Sequence, residues 1–87
     1  MSLDEQFEQA QQQVKGLSQT PGNDELLQLY ALYKQGTNGD VQGKRPGMLD
    51  MKGRAKYDAW AKVKGTSSED AKQKYIDFSG TLLSKYG

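Results

Sequence analysis

Leu26-Leu27-Gln28-Leu29-Tyr30-Ala31-Leu32-Tyr33-Lys34 places six large apolar or aromatic side chains in nine positions. Leu26, Leu29, Tyr30 and Tyr33 recur at helical spacing and form one stripe, and Leu27 and Leu32 widen it on either side. A stripe that broad is covered on two faces, so the segment predicts a helix with neighbours on both sides. Asn23 or Asp24 is expected to cap it, Glu25 suits its first turn, and Gly36 and Gly39 are expected to stop it.

The flanking segments supply the neighbours. Upstream, Leu3, Phe7, Ala10, Val14 and Leu17 step by four, three, four and three, which makes another one-faced helix. Its Gln-rich faces point to water, Gly16 ends it, and Thr20-Pro21-Gly22 turns the chain. Downstream, Met51, Ala55, Ala59 or Trp60, and Val63 mark a third helix from about Met51 to Val63, with those residues facing inward. Thr66-Ser67-Ser68-Glu69 reads as a capping box with Thr66 as the N-cap. The fourth helix follows with Ala71, Tyr75, Phe78 and Leu82 on one face, weakened locally by Gly80. Residues 37–50 show no period. A connection longer than about 12–15 residues is commonly functional or disordered, and here Val41, Met48 and Leu49 are expected to pin it onto the core. The sum is an all-α chain of four helices in one domain over residues 1–87, with a long loop between the second and third helices.

Composition narrows the chemistry. The 87 residues include no Cys and no His, which excludes disulfides, thiolate metal sites, a cysteine nucleophile and the commonest general base. Hydrophobic residues make up 34%, and no apolar run approaches the length of a membrane span. The start, Met-Ser-Leu-Asp-Glu-Gln, lacks the order of a signal peptide, so a cytoplasmic location is expected. No Walker loop, GxSxG or apolar carboxylate pair occurs, so no catalysis, metal or cofactor is expected and a binding module is the default.

Net charge is +1, but residues 1–43 hold two Lys against six Asp/Glu, net −4, while residues 44–87 hold ten Lys/Arg against five, net +5. A basic half predicts an anionic partner. The near-zero total and only two Arg weigh against wrapping nucleic acid and favour a compact anion in one pocket. Tyr30, Tyr33 and Lys34 lie at i, i+3 and i+4, and Lys52 and Lys56 repeat the i, i+4 spacing, while Tyr75 sits midway along the fourth helix. Rings that stack on a base and ammonium groups that pair with phosphates are what a nucleotide-like ligand needs. Taken singly, the same residues also read as half-buried core tyrosines and solvated lysines.

Together these motifs resemble the acyl-CoA-binding protein family. Tyr30-Ala31-Leu32-Tyr33-Lys34-Gln35, Thr37-Asn38-Gly39-Asp40-Val41 and Lys44-Arg45-Pro46-Gly47-Met48-Leu49-Asp50 carry the resemblance, with Lys56-Tyr57-Asp58-Ala59-Trp60, Lys64-Gly65-Thr66-Ser67 and the ending Lys85-Tyr86-Gly87. It runs over essentially the whole chain. It implies an up-down-down-up four-helix bundle that binds medium- and long-chain fatty acyl-CoA without catalysis, as an intracellular carrier and buffer, monomeric, with transient contacts to membranes or acyl-CoA-using enzymes. Residue by residue, it implies that Tyr30, Tyr33 and Lys34 contact the CoA head group, that Lys56 helps hold the 3′-phosphate, and that Tyr75 joins them from the fourth helix. Lys15 would lie near the adenine, and Lys52 stands where the family often has another basic residue. Thr20 departs from a common Lys and Gly36 from a common Ala. Leu26, Leu27, Met48, Leu49 and Ala55 are candidates to line the acyl groove. A nucleic-acid module and a groove for a partner helix are the rival readings.

Overall fold

The computed structural model describes all 87 residues. Four helices account for the regular structure: α1 (Leu3–Lys15), α2 (Asn23–Asn38), α3 (Met51–Lys62) and α4 (Ser68–Tyr86). Directions follow from which residues meet. Asp4 pairs with Lys72 and Phe7 packs edge-on against Tyr75, so α1 and α4 run parallel. Glu25 near the start of α2 bonds Lys85 and Tyr86 at the end of α4, so these two are antiparallel. Lys56 lies over Tyr30 and Lys34 over Trp60, so α2 and α3 are parallel. The order is up-down-down-up, as expected.

The core is small and lies where α1, α2 and α4 meet: Phe7, Ala10, Leu29, Leu32, Tyr75 and Leu82, with Val14, Leu17, Val63, Ile76, Phe78 and Tyr86 packed around it. The side chains read from the sequence as inward on α1, α2 and α4 supply it. On α3 only Trp60 is buried. Met51, expected to face inward, is instead 77% exposed, at the first position of α3.

Several boundaries differ from expectation for local reasons. Ser2 caps α1 through a capping box with Glu5, and Gly16 ends it. On α2 the cap is Gly22, not Asn23 or Asp24, and Glu25 reaches back to accept the Gly22 N–H at 2.9 Å. Gly36 does not stop α2. It is buried inside the helix, where Phe7 and Lys72 approach so closely that a Cβ would stand 3.6 and 3.0 Å from them. The helix ends two residues later, at Asn38, and Gly39 takes φ 83°, a conformation that favours glycine. At the start of α4, Ser67 accepts the Asp70 N–H at 3.1 Å, which moves the cap one residue on from Thr66.

The connection from Gly39 to Asp50 is ordered by polar contacts rather than by the apolar residues expected to pin it. Trp60 Nε1 donates to Gly39 O at 2.8 Å, Tyr57 hydroxyl to Gly43 O at 3.0 Å, and Arg45 makes a two-pronged contact with Asp58 at 2.6 and 2.8 Å. Asp40 accepts from Gln35 Nε2 and from the Gly65 N–H, both at 2.8 Å, and Gln35 Nε2 also donates to Thr66 O at 2.7 Å. This carboxylate therefore ties α2 to the turn before α4, and those bonds hold its pKa below the ordinary 3.8. Met48 and Leu49 do not touch the core; they are 80% and 103% exposed.

Candidate functional site

Two clefts share a wall, and the wall is Tyr30 with Leu26. On one side a cleft of about 460 Å³ opens between α2 and α3, floored by Leu26, Leu27 and Ala55 and rimmed by Tyr30, Lys52 and Lys56, with Asn23 and Met51 at its ends. On the other side a cleft of about 410 Å³ opens between α1, α2 and α4, lined by Gln11, Val14, Lys15, Leu26, Leu29, Tyr30, Tyr33 and Tyr75. Helical spacing builds this arrangement. Leu26, Tyr30 and Tyr33 rise along one stripe of α2, and Lys52, Ala55 and Lys56 face them from one turn of α3.

The cations are placed for use. Lys56 Nζ lies 5.5 Å from the centre of the Tyr30 ring, and Lys34 Nζ lies 5.1 Å from that of Trp60. Both are within reach of a cation–π contact. None of Lys15, Lys34, Lys52 and Lys56 forms an ion pair; the chain's three ion pairs are Arg45–Asp58, Lys72–Asp4 and Lys85–Glu25. Lys15, Lys52 and Lys56 at the clefts, and Lys34 one turn beyond Tyr30, thus stand without a carboxylate, ready for an anion from outside.

The tyrosines divide in the same way. Tyr57 and Tyr86 donate their hydroxyls to Gly43 O and to Glu25 Oε1, the latter at 2.5 Å. Tyr30, Tyr33 and Tyr75 donate to no protein atom and all border the second cleft. Tyr75 is nearly buried, and burial, with Tyr33 as a lesser cause, raises its pKa above 10.0. Its hydroxyl is neutral at physiological pH and can both donate and accept. Tyr33, 39% exposed, lies against Phe7 with ring centres 6.0 Å apart, which leaves its outer face open for stacking.

Of the residues singled out in the sequence, Lys15, Tyr30, Tyr33 and Tyr75 border the second cleft and Tyr30, Lys52 and Lys56 the first. Lys34 stands one turn on from Tyr30, outside both linings. Leu26, Leu27 and Ala55 form the apolar floor, whereas Met48 and Leu49 border neither cleft, because the loop that carries them turns outward. Asn23, Met51, Gln11 and Val14 are additional lining residues. Met51 reads from the sequence as an inward-facing residue rather than a lining one, although it stands one turn ahead of Ala55; Asn23 and Gln11 carry no signal for the site in the sequence. No group of three or more Asp or Glu side chains gathers as a metal would require.

Comparison with known proteins agrees with this geometry. Residues 4–79 match the family described as acyl CoA binding protein. An acyl-CoA-binding protein homologue of Drosophila melanogaster is 52% identical over 84 residues, covering 97% of this chain and 98% of the relative. An acyl-CoA-binding protein of Dictyostelium discoideum is 51% identical over 80 residues, covering 92% and 95% of the two chains. The crystal structure of Oryza sativa acyl-CoA-binding protein 2 superposes with a TM-score of 0.92 at 43% identity, covering 97% of this chain and 93% of that one. With a family match over residues 4–79, relatives about half identical over nearly the whole chain and a closely superposing four-helix fold, the chain belongs to the acyl-CoA-binding protein family.

Proposed function

We propose that this protein binds medium- and long-chain fatty acyl-CoA thioesters and carries and buffers them without chemical change. The observation that carries this reading is the ridge of Leu26 and Tyr30, with unpaired lysines and free tyrosine hydroxyls on both sides and an apolar floor running between α2 and α3. Acyl-CoA has matching parts. Its 3′-phosphate and pyrophosphate suit ammonium groups, its adenine suits a ring face, and its tail suits the leucine floor.

In this reading Lys34 and Lys56 turn from the rings they lie over to clamp the 3′-phosphate, and the Tyr30 hydroxyl donates beside them. Tyr33 stacks on the adenine with Lys15 at its edge, and Tyr75 offers its neutral hydroxyl from below. Lys52 meets a phosphate from α3. The tail runs along Leu26, Leu27 and Ala55. No covalent step is proposed, and the chain offers the thioester neither a thiol nor an imidazole. The same reading takes the protein to be a cytoplasmic monomer, since one chain supplies every residue of the site.

Calorimetric titration with CoA, octanoyl-CoA and palmitoyl-CoA tests it. Each buried methylene contributes roughly 0.8 kcal/mol and each 1.4 kcal/mol is a decade, so half-burial of about eight further methylenes separates the last two ligands by about two decades. Affinity is expected to rise steeply through the series. Equal affinities would mean that the nucleotide alone is recognised.

A further inference from the structure

The two lysines proposed to hold the 3′-phosphate each rest on a ring of the opposite helix. Lys34 of α2 has its Nζ 5.1 Å from the centre of the Trp60 ring on α3, and Lys56 of α3 has its Nζ 5.5 Å from that of Tyr30 on α2. Both ammonium groups are thus held across the seam between α2 and α3. The two seats differ in kind. Tyr30 borders both clefts, so it belongs to the site already described. Trp60 borders neither cleft, yet it is the single buried residue of α3.

Trp60 is a fixed seat. Its Nε1 donates to Gly39 O at 2.8 Å, and Gly39, at φ 83°, closes α2. Next along, Asp40 Oδ1 accepts from Gln35 Nε2 and from the Gly65 N–H, both at 2.8 Å, which ties this end of α2 to the turn before α4. The indole is therefore locked to the helix that carries Lys34. The same bonds engage Asp40, the carboxylate nearest to Lys34 along the chain, and Lys34 itself forms no ion pair. A cation over an aromatic face is attracted to it, but less strongly than one that gives a charged hydrogen bond to phosphate. A lysine parked on a ring has already given up rotamer freedom, and it still leaves when a phosphate arrives.

We propose that Trp60 is a positioning residue for the phosphate end of CoA: its indole, locked to Gly39, holds the Lys34 ammonium over its face, so that Lys34 reaches the 3′-phosphate from one ordered place. Trp60 touches no ligand and acts only through Lys34. The inference rests on the function proposed above, since it needs CoA at the site.

The test is a double-mutant cycle, read by calorimetry with CoA, on the parent, Trp60→Leu, Lys34→Met and the pair, each checked for folding by its thermal melt. Lys34→Met is expected to weaken CoA binding about tenfold or more. Trp60→Leu is expected to weaken it about threefold in the parent and by less than about 1.5-fold in the Lys34→Met chain. Equal weakening in both backgrounds would make Trp60 a purely structural residue and overturn the proposal. So would a Trp60→Leu chain that binds CoA like the parent. A second readout needs no variant, and it decides the matter if Trp60→Leu does not fold. In proton NMR of the parent, the Lys34 Cε protons should be shifted upfield by the indole, lose that shift with CoA, and keep it with CoA lacking its 3′-phosphate. No upfield shift in the free chain, or one that CoA leaves in place, overturns the proposal. A parent that binds no CoA breaks the proposed function and this inference with it. Failure of the inference alone leaves CoA binding intact and shows no coupling between Trp60 and Lys34.

Discussion

The two sides of α2 are packed differently. Toward α1 and α4 it meets Phe7, Ala10, Ala71, Tyr75, Ser79 and Leu82, all buried, and Gly36 lets Phe7 and Lys72 come close. Toward α3 it meets a helix with a single buried residue, Trp60, held by polar contacts and flanked by an open cleft. One side is finished by protein atoms and the other leaves apolar floor in contact with solvent. In so small a chain, which buries only about 60–65% of its unfolded surface, that is a large concession. The difference teaches that stability and binding are divided between the two faces of one helix: the α1–α4 side keeps the fold, and the α3 side is completed by what it binds.

The largest expected effect tests the closed side. Leu82 is fully buried, so Leu82→Ala should lose about 2–5 kcal/mol of stability, which lowers Tm by more than about 10 °C in a domain of this size. Below the new Tm, ligand affinity should be unchanged; a thermal melt that barely moves would mean that the closed side is not what holds the fold.

On the open side the expected order reverses. Lys34→Ala or Lys56→Ala removes a charged hydrogen bond to phosphate worth roughly 1.5–3 kcal/mol, one to two decades of palmitoyl-CoA affinity, while Tm of the free protein moves little. Affinity within about twofold of the parent would remove these two residues from the head-group site.

A smaller effect comes with acid. Glu25, Asp40 and Asp58 all have pKa values lowered below their ordinary 4.5, 3.8 and 3.8, by hydrogen bonds led by Tyr86, Gly65 and Arg45 respectively. Carboxylates held low in the folded state stabilise it above their ordinary values, and that contribution is lost as pH falls through the lowered ones. Thermal melts should therefore be level near neutrality and fall below the ordinary carboxylate range. Asp40→Asn should flatten that fall, and an unchanged acid profile would show that the Gln35–Asp40–Gly65 tie does not contribute.

The smallest effect is a gain. Gly80 is exposed within α4, and a Cβ there meets nothing within 4 Å. Gly80→Ala should add about 0.5–1 kcal/mol through helix propensity, read as a Tm raised by a few degrees with binding unaltered.

Most of the closed side was legible in the sequence, because helical periodicity reports which residues face a core. Phe7, Ala10, Leu29, Tyr75 and Leu82 fall on the stripes read from spacing. What escaped depends on neighbours far along the chain. Gly36 looks like a helix stop in isolation; it is a crossing point for Phe7 and Lys72, and the helix runs on to Gly39, where the backbone turns to positive φ. Asp40 looks like a loop carboxylate, yet its partners include Gly65, 25 residues on. Met48 and Leu49 read as core anchors because they are apolar, and nothing in their spacing shows that polar contacts at Gly39, Gly43 and Arg45 would fix the loop without them. In the candidate site, helical spacing grouped Tyr30 with Tyr33 and Lys34 and paired Lys52 with Lys56, and the family resemblance implied their roles. Residue types alone did not reveal that Tyr30 divides two clefts, which requires knowing that α2 and α3 run parallel.

The central claim is that ligand completes the α3 side of α2. Amide hydrogen exchange, followed segment by segment with and without palmitoyl-CoA, tests it most directly. The account predicts that α3 and the loop before it exchange faster than α1 and α4 in the free protein, and that ligand slows α3 far more than it slows the α1–α4 interface. Equal protection of the two sides before ligand, or a ligand effect concentrated on α1 and α4, would contradict it.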